Sequence, residues 1–164
     1  MGLIQACMEL EKICLTPMEA DDFHLIVDLG RHPEVFQHIP QISKPFDAQA
    51  WCSNAIGNAE NYVRHIIRVG AERAPVGYVQ ICRRANYDLE LGYWLGKDYW
   101  GFGIGSAAAA AALILFLSAG GQPRIFAATT PDNFASRRIL AKLGFKETAI
   151  SEPPKNMIDH VWEP

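Results

Sequence analysis

The chain has 164 residues, of which 49% are hydrophobic and 20% are charged, and its formal net charge is −3. This length predicts a single domain over residues 1–164 with a sizeable core, and the hydrophobic content and low net charge exclude an intrinsically disordered chain. Because the balance is slightly acidic, the chain has no general positive field, and we expect neither a nucleic acid nor a membrane as partner.

The first third of the chain predicts one strand and then helices. Residues 9–15 alternate loosely between polar and apolar positions, which indicates a short strand that ends before the Thr16-Pro17 dipeptide. Acidic residues, apolar positions at helical spacing and glycine or proline stops then predict helical segments. These segments cover residues 19–29, 32–40 and 47–58, with Asp47 as the N-cap of the last one.

The middle of the chain predicts strands instead. Residues 62–69, 76–82 and 88–95 are rich in β-branched and aromatic side chains. Short turns separate these three runs, so the pattern predicts an antiparallel meander.

The last part of the chain predicts helices and strands in alternation. A glycine-rich turn over residues 101–105 leads into an apolar helix over residues 106–119. A strand (124–129), a helix (132–143) and two more strands (145–150 and 157–162) complete the predicted elements. The second helix has Thr130 as N-cap, Pro131 at its first position and Gly144 after its end. This mixed order predicts an α+β fold with a central, mostly antiparallel sheet.

The cysteines and histidines do not form a metal-binding pattern. The four cysteines have no CxxC spacing, and no two of the five histidines are four residues apart, so we expect reduced thiols and no metal. The N-terminus lacks the basic and apolar regions of a signal peptide. The longest apolar run, residues 107–117, is shorter than the roughly 20 residues of a membrane span. These features predict a cytoplasmic protein.

The turn after residue 100 has the composition of an anion-binding loop. Its glycines let the backbone turn tightly and bring N–H groups close to a ligand, and the N-terminus of the next helix favours a phosphate. We therefore predict that phosphate groups bind the backbone of Gly101, Phe102, Gly103, Ile104, Gly105 and Ser106.

Other uses of this turn fit the sequence less well. A Walker loop would have a lysine after its last glycine. A dinucleotide-binding turn would have an acidic residue about 20 positions later, but no Asp or Glu occurs between Asp98 and Asp132. A turn that binds no ligand is the structural alternative.

Five short motifs in this order resemble those of the GNAT N-acetyltransferases. They are Glu90-Leu91-Gly92-Tyr93-Trp94, Trp100-Gly101, Gly103-Ile104-Gly105, Asn133-x-x-Ser136 and Leu143-Gly144-Phe145. The first two are typical of the RimJ/RimL-like branch, the ribosomal-protein-alanine N-acetyltransferases and their relatives. That branch also shares the tryptophan at position 100, where other members have Arg or Gln. The resemblance extends from about Leu10 to Trp162.

The resemblance implies a fold and two substrates. The implied GNAT fold is a mixed, mostly antiparallel sheet that is splayed in the middle and flanked by helices on both faces. The implied substrates are acetyl-coenzyme A and a primary amine, on a protein N-terminus or a small molecule, which attacks the thioester directly. The glycine turn would hold the pyrophosphate. The backbone of Trp94 and Leu95 would bind the pantetheine arm by strand addition, and Asn133 would bind the same arm from the other side.

The resemblance also implies two catalytic side chains. Glu90 is the candidate general base, because a free amine is mostly protonated at neutral pH, and Asp88 on the same strand face is the second candidate. Ser136 is the candidate donor of a proton to the leaving thiolate, since Leu140 occupies the position where many members have a tyrosine. The structural alternatives are a polar strand position for Glu90 and a hydroxyl bonded to its own helix for Ser136.

The implied acceptor site is walled by the segment 23–46 and the last strands. Aromatic and acidic side chains near this segment either line the site or have ordinary core and helix-start roles: Phe36, Phe46, Trp51, Asp21, Asp22 and Glu34. Basic side chains on the last helix are either solvated or contact the 3′-phosphate of the cofactor: Arg137, Arg138 and Lys142.

Two functions other than acetyl transfer compare as follows with the sequence. The missing tyrosine at Leu140 is compatible with a coenzyme-A-binding sensor that does not turn over. The absence of an acidic residue after the glycine turn disfavours a nucleotide-binding oxidoreductase. A monomer and a homodimer are both compatible with the sequence.

Overall fold

The computed structural model describes residues 13–39, 47, 49–51, 63–83, 89–120, 124–150 and 157–163. The strands are β1 (Ile13–Pro17), β2 (Val63–Val69), β3 (Ala74–Arg83), β4 (Leu89–Leu95), β5 (Ile125–Thr129), β6 (Lys146–Ile150) and β7 (Ile158–Trp162). The α-helices described in full are α1 (Phe23–Leu29), α2 (Ile104–Ser118) and α3 (Phe134–Lys142). Short 3-10 turns cover Ala20–Asp22, Pro33–Phe36 and Lys97–Tyr99.

The strands form one seven-stranded sheet in the order β1-β2-β3-β4-β5-β7-β6. Neighbouring strands are antiparallel except for β4 and β5, which are parallel. The predicted α+β class with a mixed, mostly antiparallel sheet is therefore confirmed.

The parallel pair β4–β5 is joined only at its start. Leu89 pairs with Ile125 and Glu90 pairs with Phe126, whereas β4 continues to Leu95. The two strands therefore part after Glu90 and leave a wedge-shaped opening in the middle of the sheet, as the resemblance implied.

Helices cover both faces of the sheet. On one face, small side chains of α2 pack on the strands, and Ala108, Ala109 and Ala112 are fully buried. Such small residues let the helix approach the sheet closely. On the other face, Ile26 of α1 joins a buried aromatic cluster that includes Phe36 and Trp94. Because strand residues alternate between faces, odd-numbered residues of β4 face α2 and even-numbered ones face α1.

The helix α3 begins later than the sequence predicted. Its N-cap is Asn133, whose Oδ1 accepts a hydrogen bond from the Ser136 backbone N–H (3.1 Å). Thr130, the predicted cap, begins a turn in which its carbonyl accepts from the Asn133 N–H (3.0 Å). The side chain of Thr130 instead contacts His38, so a tertiary contact takes the hydroxyl that would have capped the helix.

The other predicted elements agree with the structure where it describes them, apart from the end of β1. The Asp47 side chain accepts a hydrogen bond from the Ala50 N–H (2.9 Å), as a helix cap does. The strand predicted over residues 9–15 is described only from Ile13, and its predicted end before Thr16 was wrong: Thr16 and Pro17 still pair with β2, so the strand continues to Pro17. The rest of the helix predicted over residues 47–58 lies outside the described residues. Among the described helices, none is long and apolar enough to span a membrane.

A buried histidine should make the stability of the fold depend on pH. His160 is 1% exposed, and its Nε2 lies 2.9 Å from Thr129 Oγ1. Burial lowers the pKa of His160, although the nearby Glu147 opposes this shift. Between the lowered pKa and the ordinary value of 6.5, the unfolded chain binds more protons than the folded chain, so stability falls as the pH is lowered through this range.

The His160→Gln substitution tests this dependence. We expect it to cost about 1 kcal/mol at pH 7.5 through the changed contact with Thr129, and to weaken the loss of stability between pH 7.5 and pH 5. Urea denaturation at both pH values measures the two free energies of unfolding. Part of the loss should remain, because burial also lowers the pKa of His65. Equal pH dependence in both proteins would show that His160 does not contribute.

Candidate functional site

The opening between β4 and β5 leads into a cavity of about 650 Å³. The end of β4, the turn at 99–106, the start of α3 and the segment 34–39 form its walls. Of the eleven residues predicted to bind the cofactor or to act in catalysis, nine line this cavity: Trp94, Leu95, Gly101, Gly103, Ile104, Gly105, Ser106, Asn133 and Ser136.

Two predicted residues lie elsewhere. Phe102 is 77% exposed and contributes to a separate surface cavity beside the turn between β2 and β3. Its backbone can still belong to an anion-binding turn, but its side chain does not line the main cavity. Glu90 lies where β4 and β5 part, opposite Cys82 on β3 and Phe126 on β5.

The turn before α2 has the backbone of an anion-binding loop. Gly101 and Gly103 adopt φ angles of +84° and +78°, which residues other than glycine rarely adopt. Gly103 is the N-cap of α2, and the first intrahelical hydrogen bond runs from the Ala107 N–H to the Gly103 carbonyl (3.1 Å). The N–H groups of the first turn therefore have no partner within the helix, and together with the helix dipole they favour an anion.

The start of α2 packs closely against α3 and β4, beside the opening. A Cβ placed on Gly105 would lie 3.3 Å from Ile139 Cδ1 on α3 and 3.6 Å from Leu95 Cδ1 on β4. It would also lie 3.9 Å from Tyr93 Cε2. A glycine at this position lets the helix start touch both walls of the cavity.

The edge of β4 beside the opening offers peptide groups from alternate residues. The Leu95 carbonyl faces away from β3 and accepts a hydrogen bond from the indole Nε1–H of Trp100 (3.0 Å). The Trp94 carbonyl faces β3, because a Cβ on Gly77 would collide with it. In an antiparallel pair such orientations alternate, so Tyr93 and Leu95 present their peptide groups to the opening. The predicted backbone contact of Trp94 is corrected accordingly: its carbonyl faces β3, and the peptide groups at the opening are those of Tyr93 and Leu95.

Two buried polar atoms beside the opening have no hydrogen-bond partner among the residues that the structure describes. They are the Tyr93 hydroxyl oxygen and the Trp94 indole Nε1. Buried polar groups are nearly always paired, and both residues line the cavity. A ligand with polar groups along an extended arm would supply such partners.

The first turn of α3 carries the remaining predicted side chains. The side-chain oxygen Oδ1 of Asn133 accepts the hydrogen bond of the helix cap, which leaves the side-chain nitrogen Nδ2 as a donor. Ser136 is half-buried, and among the described residues its hydroxyl makes no hydrogen bond back to its own helix. The Ser136 hydroxyl lies close enough to Tyr93 to oppose the effect of burial on the pKa of Tyr93, which is raised to about 12.

Two of the three basic side chains on α3 belong to the cavity. Arg138 and Lys142 line it, whereas Arg137 donates hydrogen bonds to Glu147 (2.9 Å) and to the Pro131 carbonyl (3.0 Å). Arg138 and Lys142 are therefore the two that can add positive charge near the anion-binding turn.

Glu90 faces the other side of the sheet from Tyr93. It shares the α1 face with Trp94, because both are even-numbered residues of β4. Glu90 and Leu95 are about 16 Å apart along the strand at 3.3 Å per residue. An extended arm held at the α2 end would therefore direct its far end towards Glu90. Asp88, the second candidate base, lies outside the described residues.

One contact between two cavity walls has no signal in the sequence. His38 Nδ1 lies 2.9 Å from Thr130 Oγ1 and 3.4 Å from Asp132 Oδ1. His38 and Asp132 both line the cavity. The contact joins the segment after the Pro33–Phe36 turn to the loop before α3. These residues are more than 90 positions apart, so no local pattern could have indicated the contact.

The predicted acceptor-side residues take several roles. Asp22 is buried and pairs with Arg68 (2.9 Å), so it does not face an acceptor. Glu34 lines the cavity, and a hydrogen bond from Lys97 lowers the pKa of its carboxyl group. Phe36 packs edge-on against Trp94 in the core, with ring centroids 5.1 Å apart. Phe46 lies outside the described residues.

Comparison with known proteins identifies the same family that the motifs resemble. The family model for the acetyltransferase (GNAT) domain matches residues 12–146. A comparison with curated proteins found no match.

Solved structures share the fold. An acetyltransferase (GNAT family) from Bacillus anthracis is 19% identical, with a TM-score of 0.74 over 92% of this chain and 93% of that one. Mycobacterium smegmatis RimJ, solved in complex with CoA-disulfide, is 22% identical, with a TM-score of 0.75 over 92% and 81%. The microcin C7 self-immunity acetyltransferase MccE, solved with acetyl-CoA and AMP, is 17% identical, with a TM-score of 0.75 over 94% and 93%.

Proposed function

The chain belongs to the acetyltransferase (GNAT) family, and on this premise we propose that it transfers the acetyl group of acetyl-coenzyme A to a primary amine. The acceptor is a protein N-terminal α-amine or a small-molecule amine. The Glu90–Trp94 motif and the Trp100-Gly101 pair support a RimJ/RimL-like relative, the group of the ribosomal-protein N-terminal acetyltransferases.

One observation carries this proposal. The opening between β4 and β5 ends at the N-terminus of α2, where the backbone of the glycine turn faces the cavity. An arm with an anionic end and an extended polar chain fits this arrangement, and coenzyme A is such a molecule. The complexes of RimJ with CoA-disulfide and of MccE with acetyl-CoA, which have the same fold, support this choice.

The residues of the cavity would bind the cofactor at successive points. The N–H groups of Ile104, Gly105 and Ser106 would donate to the pyrophosphate, and Arg138 and Lys142 would add positive charge near it. The peptide groups of Tyr93 and Leu95 would hold the arm as an added strand. The Asn133 amide nitrogen would donate to it from α3.

The chemistry requires the removal of two protons from the ammonium form of the acceptor, one before and one after attack, and the supply of one proton to the leaving thiolate. Glu90 would take a proton from the ammonium form of the acceptor, directly or through water, so that the amine nitrogen has a free electron pair. That nitrogen would form a bond to the thioester carbonyl carbon, and the carbon–sulfur bond would break. The Ser136 hydroxyl would donate a proton to the leaving thiolate, and the second proton that the nitrogen loses as the amide forms would return to Ser136, directly or through water. Acetyl-coenzyme A supplies the activated acyl group.

Binding and turnover test this function separately. We expect acetyl-coenzyme A to raise the melting temperature of the protein, whereas NAD should leave it unchanged. Detection of free thiol with a panel of peptides and small amines should then reveal an acceptor. Mass spectrometry of that acceptor should show a gain of about 42 Da, which corresponds to one acetyl group in place of a hydrogen atom.

The outcomes separate the possible functions. Stabilisation by acetyl-coenzyme A without thiol release for any acceptor would favour the sensor function. Stabilisation by NAD alone would contradict the assignment of the turn. Thiol release with peptides but not with small amines would select a protein N-terminus as acceptor.

A further inference from the structure

The hydroxyl group of Tyr93 has no role in the function proposed so far. Tyr93 of β4 lies between two other walls of the cavity. A Cβ placed on Gly105 of α2 would lie 3.9 Å from Cε2 of Tyr93, and both Tyr93 and Ser136 of α3 line the cavity, with their side chains close enough to interact. The Tyr93 hydroxyl is buried and has no hydrogen bond of ordinary geometry with any residue that the structure describes.

We propose that Tyr93 is a positioning residue that orients the Ser136 hydroxyl towards the reacting end of the bound cofactor. This inference rests on the proposed function, because it assigns a purpose to the contact between the two hydroxyl groups. When the arm is bound, the Tyr93 O–H would donate to Ser136 Oγ. The Ser136 proton would then point away from Tyr93, into the cavity, where the thiolate forms.

Core packing alone does not explain a tyrosine at this position. A phenylalanine would fill the same space, whereas a buried hydroxyl without a partner costs about 1–3 kcal/mol. Burial keeps the Tyr93 hydroxyl protonated, because it raises its pKa to about 12. At neutral pH the group is therefore a stable donor and does not compete with Glu90 as a base.

The location of Tyr93 assigns it to the thiolate side of the reaction. Tyr93 and Glu90 lie on opposite faces of β4, since one is odd-numbered and the other even-numbered. Other titratable groups also line the cavity, among them Tyr99, Asp132, Arg138 and Lys142. His38 is directed towards Thr130 and Asp132 and so does not face Ser136. Ser136 is thus the polar side chain of α3 that Tyr93 can orient.

A double-mutant cycle tests the proposal. We expect Ser136→Ala to lower kcat roughly a hundredfold and Tyr93→Phe roughly tenfold, since proton donation contributes about 10²–10⁴-fold. The KM for acetyl-coenzyme A should change less than kcat in both variants. If Tyr93 acts through Ser136, Tyr93→Phe should have no further effect on kcat in the Ser136→Ala protein.

Further measurements separate positioning from stability. Tyr78→Phe removes a buried hydroxyl from the adjacent strand, where Tyr78 donates to Gln80 Oε1 (3.1 Å). Its melting temperature shows what such a loss does to folding alone. Independent effects of the two substitutions, or a wild-type kcat for either single variant, would overturn the role of Tyr93 while leaving acetyl transfer intact. A wild-type protein without turnover would overturn both proposals.

Discussion

The Gly103→Val substitution should lower the affinity for coenzyme A about a hundredfold or more. Gly103 has a φ of +78° and is the N-cap of α2, so a β-branched side chain is strained there and its methyl groups would cover the N–H groups behind it. Loss of two hydrogen bonds to a charged group, at about 1.5 kcal/mol each, corresponds to roughly this factor. Isothermal titration calorimetry measures it.

Gly120→Val is the matched control for backbone strain. Gly120 has a φ of +81°, and a Cβ there would have nothing within 4 Å. It follows the other end of α2, about 22 Å from the helix start at 1.5 Å per residue. We expect Gly120→Val to lose stability but to bind coenzyme A as the wild type does. Normal binding by Gly103→Val would show that the turn does not hold the cofactor.

Local sequence patterns were sufficient to predict most of the fold. The alternation of apolar and polar residues and the β-branched content predicted β2, β3 and β4 within two residues of their observed bounds. This succeeded because the periodicity of a strand is a pattern among residues that are close together in sequence. The start of α3 was predicted too early, since both Thr130 and Asn133 are good caps. In the structure Asn133 is the cap, and the Thr130 side chain contacts Asp132 and His38 instead. The contact with His38, over 90 positions away, is not visible in a local pattern.

Sequence motifs can group only those site residues that are close together in the chain. The glycine turn and the first turn of α3 both line the cavity. The peptide orientation of Trp94 was predicted wrongly, because the sequence does not specify the strand register and a shift by one residue reverses every orientation. Tyr93 stands within a recognised motif, but its contact with Ser136 depends on how α3 packs against β4.

The second large effect is expected at Glu90. Glu90→Gln keeps the shape of the side chain but removes its ability to take a proton, so the rate with an ammonium acceptor should fall about 10²–10⁴-fold at neutral pH. The affinity for acetyl-coenzyme A should stay the same, because Glu90 does not line the cavity that we propose as the cofactor site. Steady-state kinetics with both substrates varied, together with direct binding measurements, separates these two quantities.

The acceptor itself provides the sharpest control for this prediction. An amine that is already deprotonated at neutral pH needs no base before it attacks, so Glu90→Gln should slow its acetylation much less. Raising the pH from 7 to 9 should likewise restore part of the rate with an ordinary amine. Glu72→Gln, which removes the same charge from the exposed turn between β2 and β3, should behave as the wild type. An equal loss with both kinds of amine would mean that Glu90 supports the structure of the opening and does not remove a proton.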